Sequence, residues 1–149
     1  MNKLILTTAA LALTTGMSFA DTIRMGTEGA YEPYNYINDN GDLDGFEKEL
    51  GDELCKRANL TCEWVINDWD TIIPNLVSSN YDTIIAGMSI TEERDQIIDF
   101  TENYTQPDPS AYLALSTEVN LEGAVIAAQT NTIQASFIAS SGATLVEFA

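Results

Sequence analysis

The sequence predicts an α/β fold with a mostly parallel sheet, and three observations carry that expectation. Short apolar, β-prone runs alternate with stretches of helical periodicity. One of those runs feeds straight into a helix-capping threonine, and a second strand–helix–strand series follows a proline-rich break. This βαβ rhythm puts helices on the sheet faces and loops at the carboxyl ends of the strands, where open α/β folds hold ligands.

The elements follow in order. "TIRMG" (22–26) reads as a first buried strand. "YNYI" and "LDGF" flank Asn38-Asp39-Asn40-Gly41, in which Asn40-Gly41 predicts a two-residue hairpin turn. From Phe46 the pattern turns helical: Phe46, Leu50, Leu54 and Ala58 recur on one expected core face. "TCEWVI" (61–66) is a strand, and Asp70 is placed to cap a helix through "TIIPNLVSSN", with Pro74 confined to its early part. "DTIIAG" (82–87) is a short apolar strand leading into "MSITEER", where Thr91 is a good N-cap and Glu92-Glu93 suit a first turn. After Pro107 and Pro109, "AYLALS" looks like a strand leaving the domain. Then "VIAA" predicts a strand, 132–138 a helix and "TLVEF" a strand. A second unit of roughly thirty residues cannot bury a proper core, so either another chain completes it or the sequence is truncated.

Composition narrows the function. Met1-Asn2-Lys3, an apolar stretch over 4–13 and Ser18-Phe19-Ala20 before Asp21 form a signal-peptide pattern, so residues 1–20 are expected to be removed on export. The competing reading is a retained anchor, but the run falls short of the ~18 apolar residues that span a bilayer. The two cysteines, Cys55 and Cys62, then face an oxidising compartment and are expected to pair. Without a histidine in the chain they make a poor zinc site, and no metal is expected. Acid–base chemistry near neutral pH would fall to carboxylates, lysine or tyrosine. A net charge of −17 argues against nucleic acid and anionic membrane surfaces as partners.

Three strand-end loops carry functional-looking residues. Arg94 stands at the third helical position after Thr91, where a positive charge opposes the helix dipole by about 0.3–1 kcal/mol. In a chain with six lysines and arginines together, that placement asks for a reason. An anion held by the helix start, the Ser89 hydroxyl and the Arg94 fork would supply one. The competing reading is a surface ion pair with Glu93 or Asp95. In "GTEGAYEPYN" (26–35), Glu28 and Tyr31 offer an anionic group and an aromatic wall, or else a polar loop with a surface tyrosine. Trp69 lies in a loop between Asp68 and Asp70, unless it folds inward as a hydrophobic staple. A calcium-loop pattern at Asn40, Asp42, Asp44 and Gly45 fails, because Gly51 stands where a bidentate glutamate is needed.

"GTEGAYEPYN", "GFEKELGDELCKRANLTCEWV", "DWDTIIPNLVSSNYDTIIAGMSITEERDQIIDFTENY" and "LEGAVIAAQTNTIQASF" together resemble the polar amino-acid periplasmic solute-binding proteins of ABC importers, in particular the lysine/arginine/ornithine and histidine binders. The resemblance runs from Asp21 onward and includes both cysteines at the family's disulfide spacing. It implies a two-lobe periplasmic-binding-protein fold that closes on its ligand, with lobe one at 21–113 and an incomplete lobe two at 114–149. It also implies that Arg94 and Ser89 hold the ligand carboxylate with backbone N–H groups around Gly87, and that Tyr31 and Trp69 sandwich the side chain. Glu28 stands where the family often has an aspartate that meets a cationic side chain, and Thr132 would add a contact from lobe two. The implied partners are an amino acid and an inner-membrane ABC permease; the implied state is a periplasmic monomer without cofactor. Departures are Gly87 in place of a small polar residue, Asn131 where a glycine is usual and Ile133 in place of a threonine. Asparagine is the next best residue for a left-handed backbone. Family members continue beyond the end of this chain, so a fragment is expected. The rivals are a dehydratase-like enzyme using Glu28 as its acid, and the sensing domain of a receptor with a membrane span downstream.

Overall fold

A computed structural model describes residues 22–149, so the expected leader at 1–20 lies outside the described residues. The first strand, β1 (Ile23–Thr27), is followed by β2 (Ala30–Tyr31), β3 (Asn35–Ile37) and β4 (Leu43–Asp44), which form a small antiparallel sheet. Helix α1 (Phe46–Ala58) leads to β5 (Cys62–Ile66), then a 3-10 turn (Trp69–Thr71), α2 (Ile72–Val77) and β6 (Thr83–Ile84). Strand β1 lies between β5 and β6, parallel to both, with Ile23 opposite Cys62 and Met25 opposite Thr83. Side chains alternate across this sheet as strand geometry requires. Trp64 and Ile85 lie against Gly51 of α1, while Val65 and Ile84 pack with the buried Ile72, Tyr81 and Ala86 on the α2 side. Helices therefore cover both faces, as the sequence predicts.

Helix α1 holds one surprise. Its buried positions are Glu47 and Gly51, while Phe46 and Leu54 are exposed, so the inward stripe sits one residue later than the apolar periodicity indicates. The reason is close approach: a Cβ on Gly51 would meet the Trp64 ring at 2.5 Å, so the helix rests on its glycine. Its ends follow the dipole, with Glu47 and Glu49 in the first turn and Lys56 and Arg57 in the last. Asn59 closes it in a left-handed conformation (φ 54°), and Leu60 N–H returns to Cys55 O at 2.9 Å. The Cys55–Cys62 disulfide then ties the helix end to β5.

Other expectations need correction. The hairpin between β3 and β4 does not turn on Asn40-Gly41 alone. Asn38 Oδ1 accepts from the N–H groups of Asn40 (3.0 Å) and Asp42 (3.1 Å), organising a wider loop around one side chain. Asp70 caps nothing; it lies inside the 3-10 turn, and the helix it was expected to start ends at Val77. No strand forms at "AYLALS": among the described residues none lies between β6 and Val125, and Leu113 and Leu115 are exposed, with no neighbouring strand to pair them.

Helix α3 (Glu92–Asp95) is short and capped as expected, the Thr91 hydroxyl accepting from Arg94 N–H at 3.2 Å. Last come β7 (Val125–Gln129), α4 (Ile133–Ser140) and β8 (Thr144–Phe148). Strands β7 and β8 are parallel, and α4 lays Ala135 and Ile138 on Ala128, flanked by Ile126, Ala143 and Leu145.

Candidate functional site

The carboxyl ends of β1, β5 and β6 face the turn that follows β7, and every expected site residue stands in the segment that follows one of these four strands, Tyr31 in β2 and Arg94 in α3. Contacts join the two sides. Gln129 Nε2 donates to Glu28 Oε1 at 2.5 Å, and Arg94 donates to the Asn131 carbonyl at 2.7 Å. Trp69 Nε1 also points at that carbonyl, at 3.4 Å. Beside them opens a cleft of about 320 Å³ lined by Glu28, Ala30, Asp68, Trp69, Asp70 and Ala149. Its side chains supply three acids and no base, a field that favours a cation.

Arg94 makes no ion pair among the described residues, so the pairing with Glu93 or Asp95 is not formed. Half-buried, it donates to the Ser89 carbonyl at 2.8 Å and lies 5.7 Å from the centre of the Trp69 ring. Burial pushes its pKa below the ordinary value, with Glu93 partly opposing. The remaining guanidinium N–H groups keep capacity for an anion. The Ser89 hydroxyl bonds no group among the described residues.

The aromatic pair differs from the expectation. Tyr31 stacks on Tyr34, with centroids 5.0 Å apart and planes 21° apart, and its ring lies against Gly87. Trp69 instead meets the protein's own cation, Arg94. Gly87 also differs: its N–H, expected to face an anion, donates to Glu47 Oε1 at 2.6 Å and to the Tyr104 hydroxyl at 3.1 Å. The Thr132 hydroxyl is used locally, donating to Gln129 O at 2.7 Å and capping α4 by accepting from Ala135 N–H at 3.1 Å. Asn131 does take the left-handed backbone (φ 56°), which aims its carbonyl at Arg94.

Sequence reasoning missed the group behind these loops. Glu47 is wholly buried and accepts from Asn35 Nδ2 (2.6 Å), Gly87 N–H and the Tyr104 hydroxyl. Asn35, equally buried, accepts from Gly29 N–H at 2.7 Å. One carboxylate thereby ties the Glu28–Tyr31 loop to the Gly87–Ser89 turn. Nothing in the sequence marks it, because a glutamate in a first helical turn is ordinary. Burial of Tyr104 and the Glu47 carboxylate beside it push its hydroxyl pKa well above the usual tyrosine value.

The chain is 45% identical over 98 residues to an octopine-binding periplasmic protein of Rhizobium meliloti, a match covering 64% of this chain and 33% of that one. It is 38% identical over 107 residues to the lysine/arginine/ornithine-binding periplasmic protein of Escherichia coli, covering 66% of this chain and 41% of the relative. A crystal structure of a periplasmic His/Glu/Gln/Arg/opine family-binding protein from Silicibacter pomeroyi, in complex with lysine, matches with a TM-score of 0.82 and 74% identity. That match covers 86% of this chain and 58% of the other. The chain thus spans well under half the length of these curated relatives and matches a large part of the two-lobe periplasmic-binding-protein fold. A family model matches residues 23–137, and the chain belongs to the bacterial extracellular solute-binding proteins, family 3.

Proposed function

We propose that the protein captures an amino acid with a cationic side chain for an ABC importer, binding it without chemistry in the periplasm. The observation that carries this reading is the pairing of an acid-lined cleft with a half-buried arginine that has no carboxylate partner among the described residues. Arg94, with the Ser89 hydroxyl, would take the ligand carboxylate. Glu28, with Asp68 and Asp70 beside it, would take the ligand cation, and Trp69 would wall the aliphatic stem. Tyr31, braced by Tyr34 and Gly87, would bound the other side, and α4, capped by Thr132, would present backbone N–H groups from the second unit. Octopine, lysine, arginine and ornithine, which the names of two relatives give as ligands, all carry such a cation. On this reading residues 1–20 are a signal peptide, 21–113 belong to lobe one and 114–149 to lobe two. An inner-membrane permease is the partner, and the complete protein is a monomer. The enzyme reading is weaker, since the relatives this chain resembles are named as binding proteins.

The test is a titration of residues 21–149 with L-arginine, followed by tryptophan emission, with L-glutamine and L-glutamate as controls. Saturable change is expected with arginine, because Trp69 lines the cleft. Equal response to glutamate would sink the cationic assignment.

A further inference from the structure

The end of β7 and the turn after it meet both charged anchors of the proposed site with complementary groups. A carbonyl, that of Asn131, faces Arg94 where a carboxylate would bind. An amide N–H₂, that of Gln129, faces Glu28 where a cation would bind. This segment has the polarity of the ligand itself. From this we propose that Gln129 sets a threshold for binding at Glu28: it occupies the carboxylate with a neutral amide, so that a ligand side chain draws net binding from Glu28 only by being a stronger partner than an amide. The inference rests on the reading of Glu28 as the anchor for the ligand side chain.

The energetics follow from exchange. Hydrogen bonds to a charged group are stronger when both partners are ionised, so an ammonium or guanidinium that displaces Gln129 gains. A neutral amide such as the glutamine side chain exchanges one amide bond for another and gains nothing. A ligand too short to reach Glu28, such as alanine, leaves Gln129 in place. The Asn131 carbonyl is displaced by any α-carboxylate, so its cost is common to all amino acids and cancels from comparisons among them. Gln129 therefore costs every side chain that reaches Glu28 the same amount: it cancels what a neutral amide would gain there over a ligand too short to reach, and leaves the ratio between arginine and glutamine as Glu28 sets it.

The sign of one substitution tests this. Q129M keeps the length of the side chain and removes the donor. Expected is a tightening of about tenfold for both L-arginine and L-glutamine, the scale of one hydrogen bond to a charged group, with L-alanine unchanged. Loss of affinity for arginine would show that Gln129 supports the ligand, and unchanged affinity for arginine and glutamine would show that it is a bystander; either overturns the proposal. A second readout uses the unmutated chain. The Gln129 side-chain amide protons, assigned by their absence from Q129M spectra, should shift on saturation with arginine and stay in place with alanine. Arginine saturation that leaves them unmoved also overturns it. If the unmutated chain binds no cationic amino acid at all, the functional reading falls and this inference with it. If it binds arginine and the variant shows no tightening, this inference alone falls.

Discussion

At the scale of residues, Arg94 shows how a local cost becomes intelligible only in context. On α3 alone the charge opposes the dipole, yet the guanidinium leaves that helix, lies over Trp69 and spans from Ser89 to Asn131. Glu47 is the opposite case, unremarkable in sequence and central in structure, since its carboxylate accepts from three separate segments. Gly87 stands where these effects meet. Its φ is +58°, and an added Cβ would lie 3.1 Å from the Tyr31 ring. G87A should lower stability by about 1–2 kcal/mol, the usual penalty for an L-residue in a left-handed backbone, and push Tyr31 outward. Urea denaturation checks the first effect, and an unshifted midpoint would contradict it.

At the scale of elements, amphipathic periodicity located α1 but misjudged its face. Side-chain volume decided the matter: Trp64 needs space that only Gly51 leaves, which rotates Glu47 inward and Leu54 outward. The Cys55–Cys62 bridge then clamps this helix to β5 across a sequence separation of 7. For so short a loop, chain entropy puts its contribution at about 2–3 kcal/mol. Reduction under mild denaturant should lower the unfolding free energy by that amount, and α1 and β5 should show the largest loss of amide-exchange protection. Protection lost evenly across all elements would argue against the local clamp.

At the scale of the whole molecule, the formal charge is −17, and the described residues form four ion pairs, all with solvent-exposed members. Such pairs contribute little. Two tyrosines, the buried Tyr81 and the partly exposed Tyr104, matter more at high pH. Burial raises the pKa of Tyr104, with Glu47 adding to it, and burial alone raises that of Tyr81. Since both folded values lie above the unfolded one, their stabilising contribution is fully present below about pH 10 and is lost as pH rises through the folded values. Stability should therefore drop steeply above about pH 10, and Y104F should make the drop shallower. An unchanged slope in Y104F would remove Tyr104 from that account. The sequence by itself determined the α/β class, a mostly parallel sheet, the cysteine pair and the segments that carry Glu28, Trp69, Ser89 and Arg94. Those features depend on local periodicity, turn chemistry and residue type, which a linear reading contains. Only the tertiary structure decided which face of α1 is buried, that Glu47 binds the loops together, and that Gln129 and Asn131 meet Glu28 and Arg94. These depend on distances between residues far apart in the chain, such as the 101 positions between Glu28 and Gln129, and packing alone sets them.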